Sequence, residues 1–325
     1  IAGGPCAYNP EPLAEIVDIF LIGDGEEVLP TFFDEFVKSV SEGENRKRFF
    51  ERISGIAGVY IPSLYEVTYK ENGEIKDYIP KEKYAPKRIV RAISKSLEEL
   101  EFPENPIVPI IEVVHDRAVV ETFRGCTRGC RFCQAGMIYR PVRERSTEKI
   151  RSLAQKQLRS TGHEELSLLS LSTSDYMNFE ELATGLMKTC KDDNVSLSLP
   201  SLRLDSFSFK VLEEIQGYKK SGLTFAPEAG TQRLRDVINK GITENDIYSA
   251  VEQAIELGWR NVKLYFMNGL PTETCEDLDG IFDIAKNIID INFKINGKSR
   301  FNVTVSASNF VPKAHTPFQW MSQDT

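Results

Sequence analysis

From about residue 107 onward, short apolar runs alternate with stretches whose apolar positions recur every three or four residues. The first pattern suits strands buried on both faces, and the second suits helices with one covered stripe. Apolar runs at 118–123, 166–171, 195–199, 223–226, 262–267 and 302–306 predict six strands. Between the first two, Ile150, Leu153, Ala154 and Leu158 share a helical face, which Ser146 or Thr147 opens and Gly162 closes. Phe179, Leu182, Ala183, Leu186, Met187 and Cys190 form the next stripe, opened by Asn178 with Glu181 three residues on. Further helices are predicted around 210–215 and 232–239. Thr243 with Asp246 opens a helix carrying Ile247, Val251, Ala254 and Ile255 that Gly258 ends, and Thr274 with Asp277 opens a long one. Strands and helices in this alternation predict parallel strands joined by right-handed crossovers. An open sheet and an incomplete barrel both satisfy it.

Ahead of residue 107 the pattern changes. Residues 16–22 read as a strand and Asp24-Gly25 as a turn, within a segment, 11–35, that holds eight acidic side chains and no basic one. Asn72-Gly73 between apolar runs at 65–69 and 75–78 predicts a hairpin. Pro103, Pro106 and Pro109 read as a linker. The expected division is therefore the tail of an α/β domain at 1–50, a connecting region with a hairpin at 51–111, and an α/β unit at 112–325.

Composition narrows the class. At 41% hydrophobic and 27% charged, the chain is an ordinary globular one, neither disordered nor fibrous. Forty Lys and Arg against forty-eight Asp and Glu leave a net charge of −8, which is not that of a basic nucleic-acid binder. No apolar run approaches the roughly 18 residues of a membrane span, so no membrane association is expected. The opening residues lack the basic start and apolar core of a signal peptide, and the chain opens on Ile1 and stops on Gln323-Asp324-Thr325. It reads as a piece of something longer.

Six cysteines in 325 residues do not make a disulfide scaffold. Cys126, Cys130 and Cys133 crowd into eight residues with three, then two, residues between them, while Cys6, Cys190 and Cys275 are scattered. Thiolates so spaced converge on one metal centre, and Gly125 and Gly129 let the backbone wrap it. Structural zinc wants four protein ligands, usually in two pairs, and no second pair exists. Three cysteines suit a [4Fe–4S] cube with one iron left open to another ligand, although zinc stays an alternative occupant.

The Cys126, Cys130, Cys133 run, with Phe132 before its last cysteine, resembles the signature loop of radical S-adenosylmethionine (SAM) enzymes. The segments Phe225-Ala-Pro-Glu-Ala-Gly-Thr, Tyr265-Phe-Met-Asn-Gly-Leu-Pro-Thr-Glu-Thr and Asn309-Phe-Val-Pro-Lys-Ala-His-Thr-Pro-Phe resemble the iron–sulfur oxidoreductases fused to a cobalamin-binding domain. The resemblance implies a partial (β/α)6 barrel from about residue 112, preceded by the remnant of a cobalamin-binding-like domain and a small linker region. It implies a [4Fe–4S] cluster on the three cysteines, SAM on the open iron, and an electron donor such as flavodoxin or ferredoxin. One electron then cleaves SAM to a 5′-deoxyadenosyl radical for hydrogen abstraction or group transfer on an unknown substrate.

By the same resemblance, Phe132 shields the cluster and approaches adenine. Ser172, Thr173 and Ser174 end the second strand, where relatives hold the SAM amino group, commonly with a Gly-Gly-Glu that is missing here. Ser201 and Arg203 follow the third strand. Glu228, after the fourth strand, and Lys240, twelve residues on, correspond to positions that bind the ribose or amino group and the carboxylate, while Met267 and Gly269 lie where the backbone meets adenine. None of His115, His163 and His315 stands in the Asp-x-His-x-x-Gly motif of cobalamin domains, so cobalamin is expected only in the full-length protein. An oxygen-sensitive cluster implies a reducing, cytoplasmic setting.

Residues 124–151 carry eight basic and two acidic side chains, a local +6. Either they meet an anionic partner, such as RNA or a phosphorylated substrate, or they balance the negative cluster and the SAM carboxylate or simply face solvent; the second is favoured. Two other functions stand beside the radical SAM reading. One is a non-catalytic iron–sulfur or zinc module. The other is a methyl- or methylthio-transferring enzyme acting on RNA or protein, the methylthio form weakened by the lack of a second cysteine cluster.

Overall fold

The computed structural model describes residues 1–111, 113–199, 223–297 and 300–324. It divides into two compact units, 1–95 and 96–325.

In the first unit, helices Gly25–Ser41 and Arg46–Ile53 and the hairpin Tyr65–Tyr69 with Ile75–Pro80 surround a core of Phe20, Val28, Phe32, Ile53, Tyr60 and Tyr65. The hairpin turns at Asn72-Gly73 as its sequence predicts, with the Asn72 side chain accepting from the Glu74 N–H. Two expectations change here. Only Phe20–Leu21 of the run at 16–22 pairs as strand, with Val59–Tyr60 as partner. Asp24-Gly25 is not a turn but the start of the 17-residue helix, with Glu26 and Glu27 in its first turn facing the positive end of the helix dipole. The Asp24 carboxylate instead accepts from the Ser94 N–H.

Among its described residues the second unit holds two parallel ladders of three strands each, numbered here within that unit. β1 (Ala118–Glu121), β2 (Glu165–Leu169) and β3 (Ser196–Ser198) form one ladder, in the order β1-β2-β3. β4 (Leu223–Glu228), β5 (Asn261–Asn268) and β6 (Asn302–Asn309) form the second, in the order β4-β5-β6. Helices α1 (Thr147–Thr161) and α2 (Phe179–Asp192) cover the first ladder, and α3 (Gln232–Val237), α4 (Glu244–Glu256) and α5 (Cys275–Asn296) belong to the second. The expected helix around 210–215 lies outside the described residues.

Side-chain alternation explains the layering. Val120, Leu166 and Leu168 pack against Ile150, Leu153, Leu182 and Leu186, while Phe225, Val262, Leu264 and Phe266 pack against Ile247, Val251, Ile284 and Ile288. The helix boundaries follow local chemistry. The Ser146 hydroxyl accepts from the Lys149 N–H at the head of α1, and Gly162 ends it with φ 72°. Thr243 and Asp246 close a reciprocal capping box on α4. Asn178 precedes α2 as expected, yet its side chain caps nothing: its φ of −110° and ψ of 43° lie outside the extended region a capping residue needs. Helix α3 ends at Val237, two residues earlier than the pattern suggested.

Candidate active site

Strand β1 runs into Phe123–Arg124, which pairs with Arg143–Glu144 and so folds the cysteine loop back over the strand end. Gly125 turns the chain with φ 97°. A Cβ there would stand 2.7 Å from the Tyr139 carbonyl oxygen and 2.8 Å from that of Pro141, so only glycine lets these segments close. Cys126, Cys130 and Cys133 follow, all partly exposed and all free of disulfides. The loop is held from outside by Asn239, which donates to the Gly129 carbonyl at 2.9 Å, and by the Arg131 N–H, which donates to the Ile238 carbonyl at 2.9 Å. The Gly136 N–H points at the Cys133 sulfur at 3.4 Å, a contact that favours a thiolate ligand.

These residues fit an iron–sulfur cluster: three free, partly exposed thiols stand on one short loop, and the N–H aimed at Cys133 supplies the hydrogen bond that clusters use.

Around the loop the structure brings together most of the sequence-predicted residues. Phe132 and Met267 pack against one apolar cluster of Ala229, Leu234, Ile238, Leu270, Phe310 and Phe318. Ser172, Thr173 and Ser174 are all buried in the turn after β2. The Ser172 hydroxyl is buried with no hydrogen-bond partner among the described residues, an arrangement that leaves a donor and acceptor for a ligand. The same turn carries Asp175, which pairs with Arg128 of the cysteine loop, Nε to Oδ2 at 2.8 Å. Gly269 already donates its N–H to Glu273 Oε2 at 2.8 Å. Ser201 and Arg203 lie outside the described residues.

Glu228 shows most directly how the sequence builds the site. Pro227 has no N–H for the ladder, and the β4–β5 register slips between Phe225 and Glu228. Glu228 then takes φ 70°, rare for a residue with a side chain, and reaches Lys240 at 3.3 Å. Both side chains are largely buried, at 17% and 12% exposure. Burial pushes the Glu228 carboxyl above the usual carboxylate range, against the downward pull of Lys240.

Three supports of this loop were not visible in the sequence. Fully buried Arg235 donates to the Ala229 carbonyl at 2.9 Å and ion-pairs with Glu244 at 3.3 Å. Gly230 presses on helix α5. Asp277, at the head of α5, accepts from Thr231, Arg233 and both the N–H and hydroxyl of Thr274. Burial alone would raise its carboxyl, but those donors hold it down at about 2, well below the ordinary 3.8. A carboxyl lowered by folding stabilises fully above its unfolded value and loses that contribution as pH falls through its folded one. Asp277→Asn is therefore expected to cost about 2 kcal/mol at pH 7 and almost nothing at pH 2, measured by urea unfolding at both.

The basic stretch is mostly spent internally. Arg124 bonds Glu121, Arg128 bonds Asp175, Arg143 donates to the carbonyls of Pro141 and Tyr139, and Arg145 is buried on the Leu97 carbonyl and the Phe102 ring. Such pairing with nearby carboxylates and carbonyls was not among the expectations, and it leaves less free charge for an RNA surface.

Comparison with known proteins agrees with this arrangement. The sequence profile of the radical SAM superfamily matches residues 120–285, and that of the N-terminal region of radical SAM proteins matches 1–62. An uncharacterized protein of Methanocaldococcus jannaschii is 32% identical over 98% of this chain, and an uncharacterized methyltransferase of Pyrococcus horikoshii is 24% identical over 88%. The chain spans 61% and 62% of those two relatives' lengths. Among solved structures, the radical SAM methyltransferase TsrM from Kitasatospora setae covers 97% of this chain, with 56% of its own length matched, at TM-score 0.57 and 15% identity. The cobalamin-dependent radical SAM enzyme OxsB covers 98%, with 47% of its length matched, at TM-score 0.59 and 14% identity. Among the described residues no helix is long and apolar enough to cross a membrane. With a three-cysteine loop on the first of the six described parallel strands and a superfamily profile over more than half its length, the chain belongs to the radical SAM superfamily.

Proposed function

We propose that this chain is the radical-generating part of an enzyme that cleaves SAM reductively and uses the resulting radical on a further substrate. The observation that carries the reading is the loop of Cys126, Cys130 and Cys133 at the C-terminal end of β1, where the ligand-binding ends of parallel strands converge. When bound, a [4Fe–4S] cluster with one open iron supplies the single electron that breaks the carbon–sulfur bond of SAM, leaving methionine and a 5′-deoxyadenosyl radical.

The protein's own groups bind and orient. Cys126, Cys130 and Cys133 hold three irons. Ser172, with its unpartnered hydroxyl, and neighbouring Thr173 and Ser174 receive the SAM amino group. Lys240 faces the SAM carboxylate and Glu228 the ribose or amino group, the two kept in register by their own ion pair. Phe132 and Met267 form an apolar wall beside the adenine, and Gly269 brings backbone close to it. Ser201 and Arg203, which follow β3 in the sequence, are read as further candidates for the same ligand. A one-electron donor of flavodoxin or ferredoxin type and a reducing, cytoplasmic setting suit such a centre.

Methyl or other group transfer is the favoured outcome for the whole protein, supported by the methyltransferase and cobalamin-dependent neighbours. Cobalamin would come from residues outside this chain, whose histidines lack the usual ligand motif. The remnant at 1–50 is read as belonging to such a domain.

Glu228→Gln and Lys240→Met are expected to raise the KM for SAM about 10- to 100-fold, the worth of one hydrogen bond to a charged group, while four irons per chain are retained. Anaerobic 5′-deoxyadenosine formation with dithionite, read beside iron content, tests this. Unchanged KM values in both variants would remove Glu228 and Lys240 from the site.

A further inference from the structure

The inward faces of β4, β5 and β6 differ from the packed interior of a closed (β/α) barrel, where Val, Ile and Leu dominate. Residues Phe225, Leu264 and Phe266 point outward to the helices, so their neighbours along each strand point inward. In register these are Thr224 with Lys263, Lys263 with Thr304, Tyr265 with Ser306, and Met267 with Ser308. Hydroxyls and a lysine line this face, and Tyr265, Thr224 and Thr304 are exposed on it.

The charges on the inward side are otherwise compensated. Glu121 pairs with Arg124 at 2.9 Å, Glu165 with Arg117 at 2.9 Å, and Glu228 with Lys240 at 3.3 Å. Lys263 is the exception. Its ammonium lies over the Tyr265 ring, 4.7 Å from the centroid, and among the described residues no carboxylate pairs with it. A cation half-shielded from water gains most from an anion that also removes the remaining solvent. The ring leaves the outer side of the ammonium open to that anion while holding it in place.

We propose that this wall is the substrate side of the barrel and that it takes a polar, anionic molecule, a phosphate ester or a carboxylic acid, with Lys263 as the counter-ion. The proposal rests on the radical SAM reading for its meaning, but not for its binding test. It also sets a length. Strands rise about 3.3 Å per residue, and the ammonium sits at the height of Tyr265, two residues below Met267. The anionic group therefore lies roughly 7 Å below Met267. A polar wall of this kind excludes lipid-like substrates, whose burial against hydroxyls would strip them of water for no hydrogen-bonded return.

Thermal unfolding of the anaerobic, cluster-loaded protein, without SAM or reductant, tests the proposal. The probes are inorganic pyrophosphate and malonate, with erythritol as the uncharged control, all at one ionic strength. At about ten times its Kd an anion that binds here raises the midpoint by about 2–4 °C. Lys263→Met should lose that rise and Lys263→Arg should keep it. A rise with pyrophosphate alone assigns a phosphorylated substrate, and one with malonate alone a carboxylate. No rise with either anion, or an equal rise in Lys263→Met, overturns the proposal. Acetylation of Lys263 in the unaltered protein, mapped by peptide mass, gives a second reading. The anion that stabilises should protect this lysine, and unchanged labelling overturns the assignment. Loss of 5′-deoxyadenosine formation with the anion effect intact would sink the radical reading and leave the anion site standing.

Discussion

Alanine at Cys126, Cys130 or Cys133, one at a time, is expected to lower both the iron retained after anaerobic reconstitution and the 5′-deoxyadenosine formed, each by more than about 100-fold. Groups that merely orient metal ligands are worth about 10–100-fold, and a ligand itself exceeds that. Each cysteine is also the sole thiol at its corner. Cys190 cannot substitute, because it is 1% exposed within the apolar stripe of α2 and its thiol is pushed up to about 11 by burial. Cys275 sits at the head of α5, with no cysteine near it in sequence. The same substitutions should leave the fold intact, since all three side chains are partly exposed and none belongs to a core cluster. Unchanged circular dichroism beside a colourless protein is the expected pair of results. A Cys130→Ala protein that still binds four irons and forms the nucleoside would remove that residue from the ligand set.

The second large effect belongs to a residue with no side chain of its own to offer the site. Gly230→Ala is expected to destabilise by about 3 kcal/mol and to weaken SAM binding together with stability. A Cβ at Gly230 would lie 2.1 Å from the Asp277 carbonyl oxygen and 2.5 Å from the Ile281 nitrogen, both backbone atoms of α5. Neither can swing aside as a flexible side chain would, so the loop or the helix must move. The loop is the one that carries Glu228, two residues earlier, and the helix is the one whose Asp277 grips Thr231 and Arg233. Displacement therefore reaches the Glu228–Lys240 pair directly. Urea unfolding and the KM for SAM should shift together. Loss of stability with the KM unchanged would mean that the Glu228 loop is set by other contacts, such as Arg235.

The alternation of strands and helices was legible because the strands are short apolar runs separated by capped helices, each signal with a local cause, whereas the choice of a partial barrel over an open sheet came from the resemblance. Thr243 with Asp246, Ser146 and Gly162 all act where their sequence places them. The cysteine loop was legible for the same reason, its spacing being a property of the chain alone. Resemblance, rather than periodicity, supplied Glu228 and Lys240, and the structure brings them within 3.3 Å. What stayed hidden depends on contacts distant in sequence. Arg235 looks like any helix arginine until the Ala229 carbonyl and Glu244 close over it. The pairing of Arg128 with Asp175 spans 47 residues. The helix at Gly25–Ser41 was missed because its opening Asp-Gly carries a turn signature, and Asp24 is drawn off to the Ser94 amide.

Reductive cleavage of SAM by the unaltered chain tests the central claim most directly. Protein purified without oxygen, loaded with iron and sulfide and given dithionite and SAM, should hold four irons per chain and release methionine and 5′-deoxyadenosine in equal amounts. Protein that loads its iron fully yet returns the SAM intact would contradict the account.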